Sequence, residues 1–314
     1  MYRLGYIICF DIGGTFIKYG LIDQNGQMMF KDKAPTPKHD IQTLLPELII
    51  EKVKLLQTDF DITGIGISSC GLVNHEKGEI LFSNNLPGYS GMKLADTLFK
   101  SVELPVVVEN DVKSACLGEM WKGAIQGKQN VVFLTLGTGI GSSIIIDGKI
   151  VNGSHYLAGE LGHTVIVANG KHCGCGRRGC YERYAATSAF VNDFIEEKRK
   201  QGFILENVSG EHIIRLVNEK DPIATLVYER FVSYISIGLV NIAHLLNPEA
   251  IIIGGGIAEQ TEQFIQDINT EIKKEMMPIY LSQKDLVLPS ALGNDAGLYG
   301  ACFLTLKKLS HLQV

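Results

Sequence analysis

The chain has 314 residues, 46% hydrophobic and 20% charged, with a formal net charge of −5. That length and apolar content suit two domains with sizeable cores, and the mild acidity without a long Lys/Arg run argues against nucleic acid or an anionic membrane as a partner. Met1 to Phe10 is too short and too weakly charged for a signal peptide, no stretch approaches the ~18 to 20 uninterrupted apolar residues of a membrane span, and the seven cysteines fit a reducing compartment, so a cytoplasmic protein is expected.

The apolar run Tyr6-Ile7-Ile8-Cys9-Phe10 reads as a strand ending in Asp11-Ile12-Gly13-Gly14-Thr15, and Lys18 to Asp23 reads as the returning strand. Adjacent glycines leave no Cβ between such a turn and a bulky ligand, and its free N–H groups form an anion site to which Thr15 adds a hydroxyl. The Asp11 carboxylate would repel a phosphate there unless a divalent cation lay between them, as in phosphoryl transfer. An ordinary glycine-rich hairpin is the plain alternative. Laid without gaps, Asp11–Asp23 falls on Thr135–Asp147, matching Gly13 to Gly137, Ile22 to Ile146 and Asp23 to Asp147. Two strand–turn–strand units so far apart suggest two related domains, each offering a Gly/Thr turn to one polyphosphate.

Between the turns, strands are predicted at Gln27–Ala34, Ile62–Ser68 and Pro105–Val108, and helices at Leu44–Leu56, Met92–Ser101 and Val112–Trp121. This alternation indicates an α/β lobe with a mixed sheet. Glu109-Asn110-Asp111 ends an apolar strand and opens a helix, the place where α/β sheets put ligands. Asp111 is a candidate acceptor of an alcohol proton, or alternatively only a helix cap. Asn110 is a candidate for sugar hydroxyls or for structure.

After a linker at Gly123–Gln129 come strands at Val131–Leu136 and Ser142–Ile146 and a hairpin at Gly148–Gly153. Gly159-Glu160-Leu161-Gly162-His163 then precedes Cys173-Gly174-Cys175-Gly176-Arg177-Arg178-Gly179-Cys180. Three cysteines at this spacing suit a tetrahedral Cys3His zinc site closed by His163. His172 as the fourth ligand, or three reduced thiols without metal, are the rivals. With four protein ligands the zinc would be structural, fixing the neighbouring Glu160 and Glu182. The rest is mainly helical: Ala224–Leu246, a buried strand Ala250–Ile253 ending at Gly254-Gly255-Gly256, a helix at Glu259–Met276, a short strand Val287–Pro289, and a turn and helix from Gly293.

In this order the motifs resemble the ROK family of sugar kinases and repressors, within the actin-like, hexokinase-like group. The motifs are Asp11-Ile12-Gly13-Gly14-Thr15, Glu109-Asn110-Asp111, Leu136-Gly137-Thr138-Gly139, the Glu160/His163/Cys173/Cys175/Cys180/Glu182 block, Ile253-Gly254-Gly255-Gly256 and Gly293-Asn294-Asp295-Ala296-Gly297. The resemblance implies an α/β fold of two actin-like (ribonuclease H-like) lobes, mixed sheets flanked by helices, with nucleotide and sugar in the cleft between lobes. A small lobe would comprise residues 1–118 and a C-terminal helix at 294–314, and a large lobe 119–293, with a zinc-binding insertion at 159–182. ATP with Mg2+ would be the donor, its phosphates held by Asp11, Gly13, Gly14, Thr15, Lys18, Gly137, Thr138 and Gly139. Gly254, Gly255 and Gly256 would lie under the adenosine. Asp111 would be the general base for a hexose 6-hydroxyl, and Gly71, Asn85, Asn110, Asp111, Glu160, His163 and Glu182 would line the sugar pocket. Structural zinc on His163, Cys173, Cys175 and Cys180 and a homodimer are further implications.

Departures from the family pattern bear on the sugar. Cys70-Gly71-Leu72 stands where Pro-Gly-Pro is usual, Tyr89 where Trp is frequent, and Lys113 where Asn is common. Glucose is the first expectation, with N-acetylmannosamine, β-glucosides such as cellobiose, and fructose or mannose as alternatives. A transcriptional regulator would need a helix-turn-helix of about 60 to 80 residues ahead of Asp11, where ten residues stand. A catalytically silent sugar-binding module is disfavoured by Asp11, Asp111 and both turns.

Overall fold

Strand β1 (Tyr6–Ile12) is a run of apolar residues buried from Ile7 to Phe10, the pattern required of a strand covered on both faces. It folds back antiparallel on β2 (Phe16–Ile22), which pairs with β3 (Met28–Pro35). The computed structural model describes residues 5–258, 261–280 and 285–312. After helix α1 (Ile41–Leu56), β4 (Ile62–Ser69) joins β1 in parallel; β5 (Leu72–Asn74) and β6 (Glu79–Phe82) form a separate hairpin. Helix α2 (Leu94–Val102) leads to β7 (Val106–Asn110), parallel to β4, and helix α3 (Asp111–Lys122) follows without a loop. The sheet order is β3-β2-β1-β4-β7.

The second sheet repeats this plan. Strands β8 (Val131–Leu136), β9 (Ile140–Ile146) and β10 (Lys149–Ile150) form an antiparallel meander. A short helix α4 (Glu182–Ala185), then α5 (Thr187–Lys200), α6 (Gly210–Asn218) and the long α7 (Pro222–Leu246), precede β11 (Ala250–Gly254). Helix α8 (Glu262–Glu275) and β12 (Val287–Pro289) complete the order β10-β9-β8-β11-β12, with β8, β11 and β12 parallel. Two sheets of equal strand number, order and direction are what the repeated turn motif predicts.

The repeat is nevertheless not gapless. Ile12 pairs with Ile17 across four turn residues, whereas Leu136 pairs with Ile140 across three. The ungapped overlay is therefore displaced by one residue beyond the turn. It still matches Ile22 to Ile146 in sequence, but not in cross-strand register.

Helix α7 is long and apolar enough to cross a membrane, yet its stripe of Val227, Phe231, Ile235, Leu239 and Ile242 is buried in the second core against Phe190 and Phe264. Asp221 caps it through Ile223 and Ala224, and Asn247 ends it in a left-handed conformation.

The chain divides into two units: residues 1–127, 152–157 and 294–314, and residues 128–151 and 158–293. The division falls after Gly127 rather than at 118, because α3 runs unbroken to Lys122 and the Glu119 carboxylate accepts from the Ala124 N–H beyond it. The last helix, α9 (Ala296–Leu312), packs on α3 within the first unit. Their axes approach closely at two glycines: a Cβ on Gly118 would strike the Ala296 carbonyl, and one on Gly300 the Ser114 carbonyl. This contact sets the first turn of α9 beside the end of β1.

Candidate active site

Parallel pairing places Asp11 of β1 opposite Ser68 of β4, and Ser69 of β4 opposite Asn110 of β7. Polar side chains are thereby gathered at the C-terminal ends of adjacent strands. Asp11 accepts from Ser68 Oγ at 2.7 Å and from Lys18 Nζ at 2.8 Å, and Lys18 also donates to the Asn294 carbonyl at 2.7 Å. A Cβ on Gly297 would stand 3.0 Å from Asp11 Oδ1, so glycine is what lets α9 approach the carboxylate. The turn beyond Ile12 is closed by Gly13 N–H to Phe16 O at 3.1 Å and by Thr36 Oγ donating to Gly13 O at 2.8 Å. Gly13 and Gly14 are not in the left-handed region; their value is the absent side chain, since a Cβ on Gly14 meets only the Asn85 carbonyl, 3.9 Å away.

The cap of α3 is Asn110, not Asp111: its Oδ1 accepts from the N–H groups of Val112 (3.0 Å) and Lys113 (3.1 Å). Its Nδ2 donates to the Gly71 carbonyl at 3.0 Å and to Asp111 Oδ1 at 2.9 Å. The Asn110 amide thus spends its hydrogen bonds orienting the Cys70–Gly71 loop and Asp111. Gly71 itself needs glycine, with φ 99° and a Cβ that would crowd Phe82 and Ser83. Burial first, and then the Asp11 charge, push the Asp111 carboxyl up to about 6 against the lowering effect of the Val112 N–H. Behind it Glu109 is 2% exposed and accepts from the Asn110 N–H at 2.8 Å. Cys70 is buried and its thiol is pushed up to about 11, chiefly by burial, so it is not a nucleophile at neutral pH. Tyr89 is fully buried with its hydroxyl on Ser69 Oγ at 2.8 Å; it belongs to the core. Asn85 is exposed.

In the second unit the Gly137-Thr138-Gly139 turn is closed by Gly137 N–H to Gly139 O at 3.0 Å. The start of α5 braces it: Ser188 Oγ donates to Thr138 O at 2.6 Å and Thr187 Oγ to Leu136 O at 3.1 Å. This turn, Gly256 and the first residues of α5 and α6 line a recess of about 450 Å³. Gly255 has φ 98° and a Cβ there would collide with Leu136 O, so this glycine closes β11 against β8. Gly137 and Gly256 face open space, consistent with a ligand approaching the backbone.

His163, Cys173, Cys175 and Cys180 converge, their ligand atoms all within 4.8 Å of one another. Cys175 and Cys180 sulfurs are 3.6 Å apart and Cys173 Sγ lies 3.7 Å from His163 Nδ1. A tetrahedron with Zn–S bonds of about 2.3 Å has edges of about 3.8 Å, so the donors fit the ion. His172 is drawn away into a bridge with Arg178. Glu182 Oε1 lies 3.2 Å from Cys173 Sγ and 3.6 Å from His163 Nδ1, while Oε2 lies 2.9 Å from where a Cβ of Gly139 would stand. Glu182 therefore joins the cluster to the glycine turn. Glu160 is exposed at the start of the short 3-10 helix Leu161–His163.

Residues 7–308 match the model of the ROK family. The chain belongs to the ROK family. A glucokinase of Halalkalibacterium halodurans is 32% identical over 94% of this chain and 93% of its own. An N-acetyl-D-glucosamine kinase of Photobacterium profundum is 28% identical over 95% of this chain and 99% of its own. The crystal structure of a ROK family glucokinase from Streptomyces griseus in complex with glucose and AMPPNP superposes with a TM-score of 0.80, at 32% identity, covering 96% of this chain and all of that one.

Sequence reasoning did not find Ser68, Thr187 or Ser188. Ser68 closes an apolar run, a signal of a strand end but not of its partner Asp11; the α5 residues carry no motif. The site makes a direct prediction. In an NMR titration of side-chain carboxyls Asp111 titrates near pH 6, and Asp11→Asn moves it down because a like charge is removed. Since the folded value lies above that of the unfolded chain, Asp111 adds stability fully present below about pH 4, which is lost as pH rises through about 6.

Proposed function

We propose that this ROK protein transfers the γ-phosphoryl group of ATP to the 6-hydroxyl of a hexose, with glucose as the preferred sugar. The observation that carries the proposal is Asp111: a carboxyl raised to about 6 and locked in one orientation at a strand end beside Asp11. Such a group is ionised at neutral pH and basic enough to accept an alcohol proton, which is what phosphoryl transfer to a sugar asks of a side chain. An ordinary surface aspartate would be a weaker acceptor.

The remaining roles follow from chemistry. The N–H groups and hydroxyls of the Gly13–Thr15 and Gly137–Gly139 turns bind phosphate oxygens, and the recess behind Gly256 takes the adenosine. Asp11, held by Ser68 and Lys18, would help hold Mg2+, and the ion would supply charge neutralisation at the transferring group. Lys18 orients Asp11 and balances it. Glu160, Glu182 and His163, together with Asn85 and the Gly71 loop, bind sugar hydroxyls, and Asn110 acts by aligning Asp111. His163, Cys173, Cys175 and Cys180 would hold a zinc ion whose role is structural, since the cluster offers it four protein donors. We read the two compact units as the small and the large lobe of the kinase, and the protein as a cytoplasmic homodimer.

The glucokinase relatives favour glucose; the N-acetyl-D-glucosamine kinase relative keeps an N-acetylhexosamine as the second reading. A coupled ADP-release assay across hexoses, N-acetylhexosamines and β-glucosides decides between them, glucose being expected to give the highest kcat/KM. Asp111→Asn is expected to keep glucose binding by calorimetry while kcat falls by about 10²- to 10⁴-fold; near-normal turnover removes Asp111 from its role. Elemental analysis of the purified protein is expected to find one zinc per chain, and Cys175→Ser to lose both the metal and glucose affinity. A metal-free Cys175→Ser protein with full activity contradicts the clamp.

A further inference from the structure

Lys113 is the third residue of α3 and only 5% exposed. A cation in the first turn of a helix opposes the macrodipole, and a buried ammonium is tolerated only when its protons are satisfied. Its surroundings show what it holds. Nζ donates to Asn152 Oδ1 at 2.8 Å and to the Tyr156 carbonyl at 3.1 Å. Both acceptors lie in residues 152–157, a strap without regular structure that packs in the first unit although the chain on either side of it belongs to the second.

The strap is fixed at a second point. Tyr156 adopts φ 64°, a left-handed conformation that a bulky residue keeps only where its surroundings impose it. Its hydroxyl donates to Glu76 Oε2 at 3.0 Å, and its ring stands edge-on to His75 with centroids 5.3 Å apart. Burial holds the Glu109 carboxyl above its ordinary range, against the N–H of Asn110 that it accepts and the nearby charges of Lys113 and His75.

We propose that Lys113 is a positioning residue that ties residues 152–157 to the first unit, and so constrains the path of the chain into Gly159 and Glu160. The proposal rests on the reading of Glu160 as a sugar ligand, and its effect is therefore on sugar affinity rather than on ATP.

The test compares wild type with Lys113→Met, Lys113→Arg and Asn152→Ala by hydrogen–deuterium exchange and by steady-state kinetics with glucose and ATP. In Lys113→Met, peptides covering 152–157 are expected to exchange faster. KM for glucose is expected to rise about tenfold or more, with KM for ATP held within about twofold and kcat changing less than KM. Lys113→Arg, which keeps a cation and several donors, is expected to recover part of the loss. Should Lys113→Met yield no folded protein, Asn152→Ala carries the same expectation in milder form. Unchanged exchange in the strap, an unchanged glucose KM, or a parallel loss for both substrates overturns the proposal. If wild type phosphorylates no sugar, the functional reading fails, and the exchange experiment alone then decides the tether.

Discussion

Two carboxylates set at neighbouring strand ends impose the main constraint on this molecule. Asp11 and Asp111 stand at the ends of β1 and β7, with β4 between them, and the Asp11 charge adds to the cost that burial already sets on ionising Asp111. The fold answers with different surroundings for each. Asp11 receives an ammonium and a hydroxyl, whereas Asp111 receives an amide and a backbone N–H and is otherwise buried. Burial outweighs the hydrogen bonds at Asp111, and the difference separates a carboxylate suited to cation charge from one suited to accept a proton.

The scaffold reaches this arrangement by using one design twice. Each unit has an antiparallel meander joined to two parallel strands, and in each the first hairpin turn is rich in glycine and threonine. A turn of this kind presents bare backbone, which is what phosphate oxygens need. The units then diverge. The first adds carboxylates at its strand ends, and the second adds a Cys/His cluster whose neighbour Glu182 reaches back to Gly139.

Much of this was legible in the sequence because strand ends and glycine turns announce themselves by composition. The strands, the long helix Pro222–Leu246, the convergence of His163 with three cysteines and the family all follow from patterns along the chain. Hydrogen-bond partners do not. Whether Asn110 or Asp111 caps α3 turns on one rotamer, and both residue types are good caps. Tyr89 stands where the family frequently has Trp, which says nothing of its partner; its hydroxyl finds Ser69 inside the core. The one-residue difference between the two turns is invisible without pairing register, since a gapless overlay keeps the glycines aligned. The unit boundary after Gly127 falls within the linker legible at Gly123–Gln129, whereas the boundary at 118 implied by the family resemblance would cut helix α3.

The central claim, a poised Asp111 accepting the sugar proton, is tested most directly by the pH dependence of kcat/KM for glucose at saturating Mg-ATP. The base works only when ionised, so activity is expected to be full above pH 7, to bend near pH 6 and to fall tenfold per unit below it. A profile that stays flat from about pH 5 to 8 contradicts the account, since a group with an ordinary aspartate value of about 4 would then be at work.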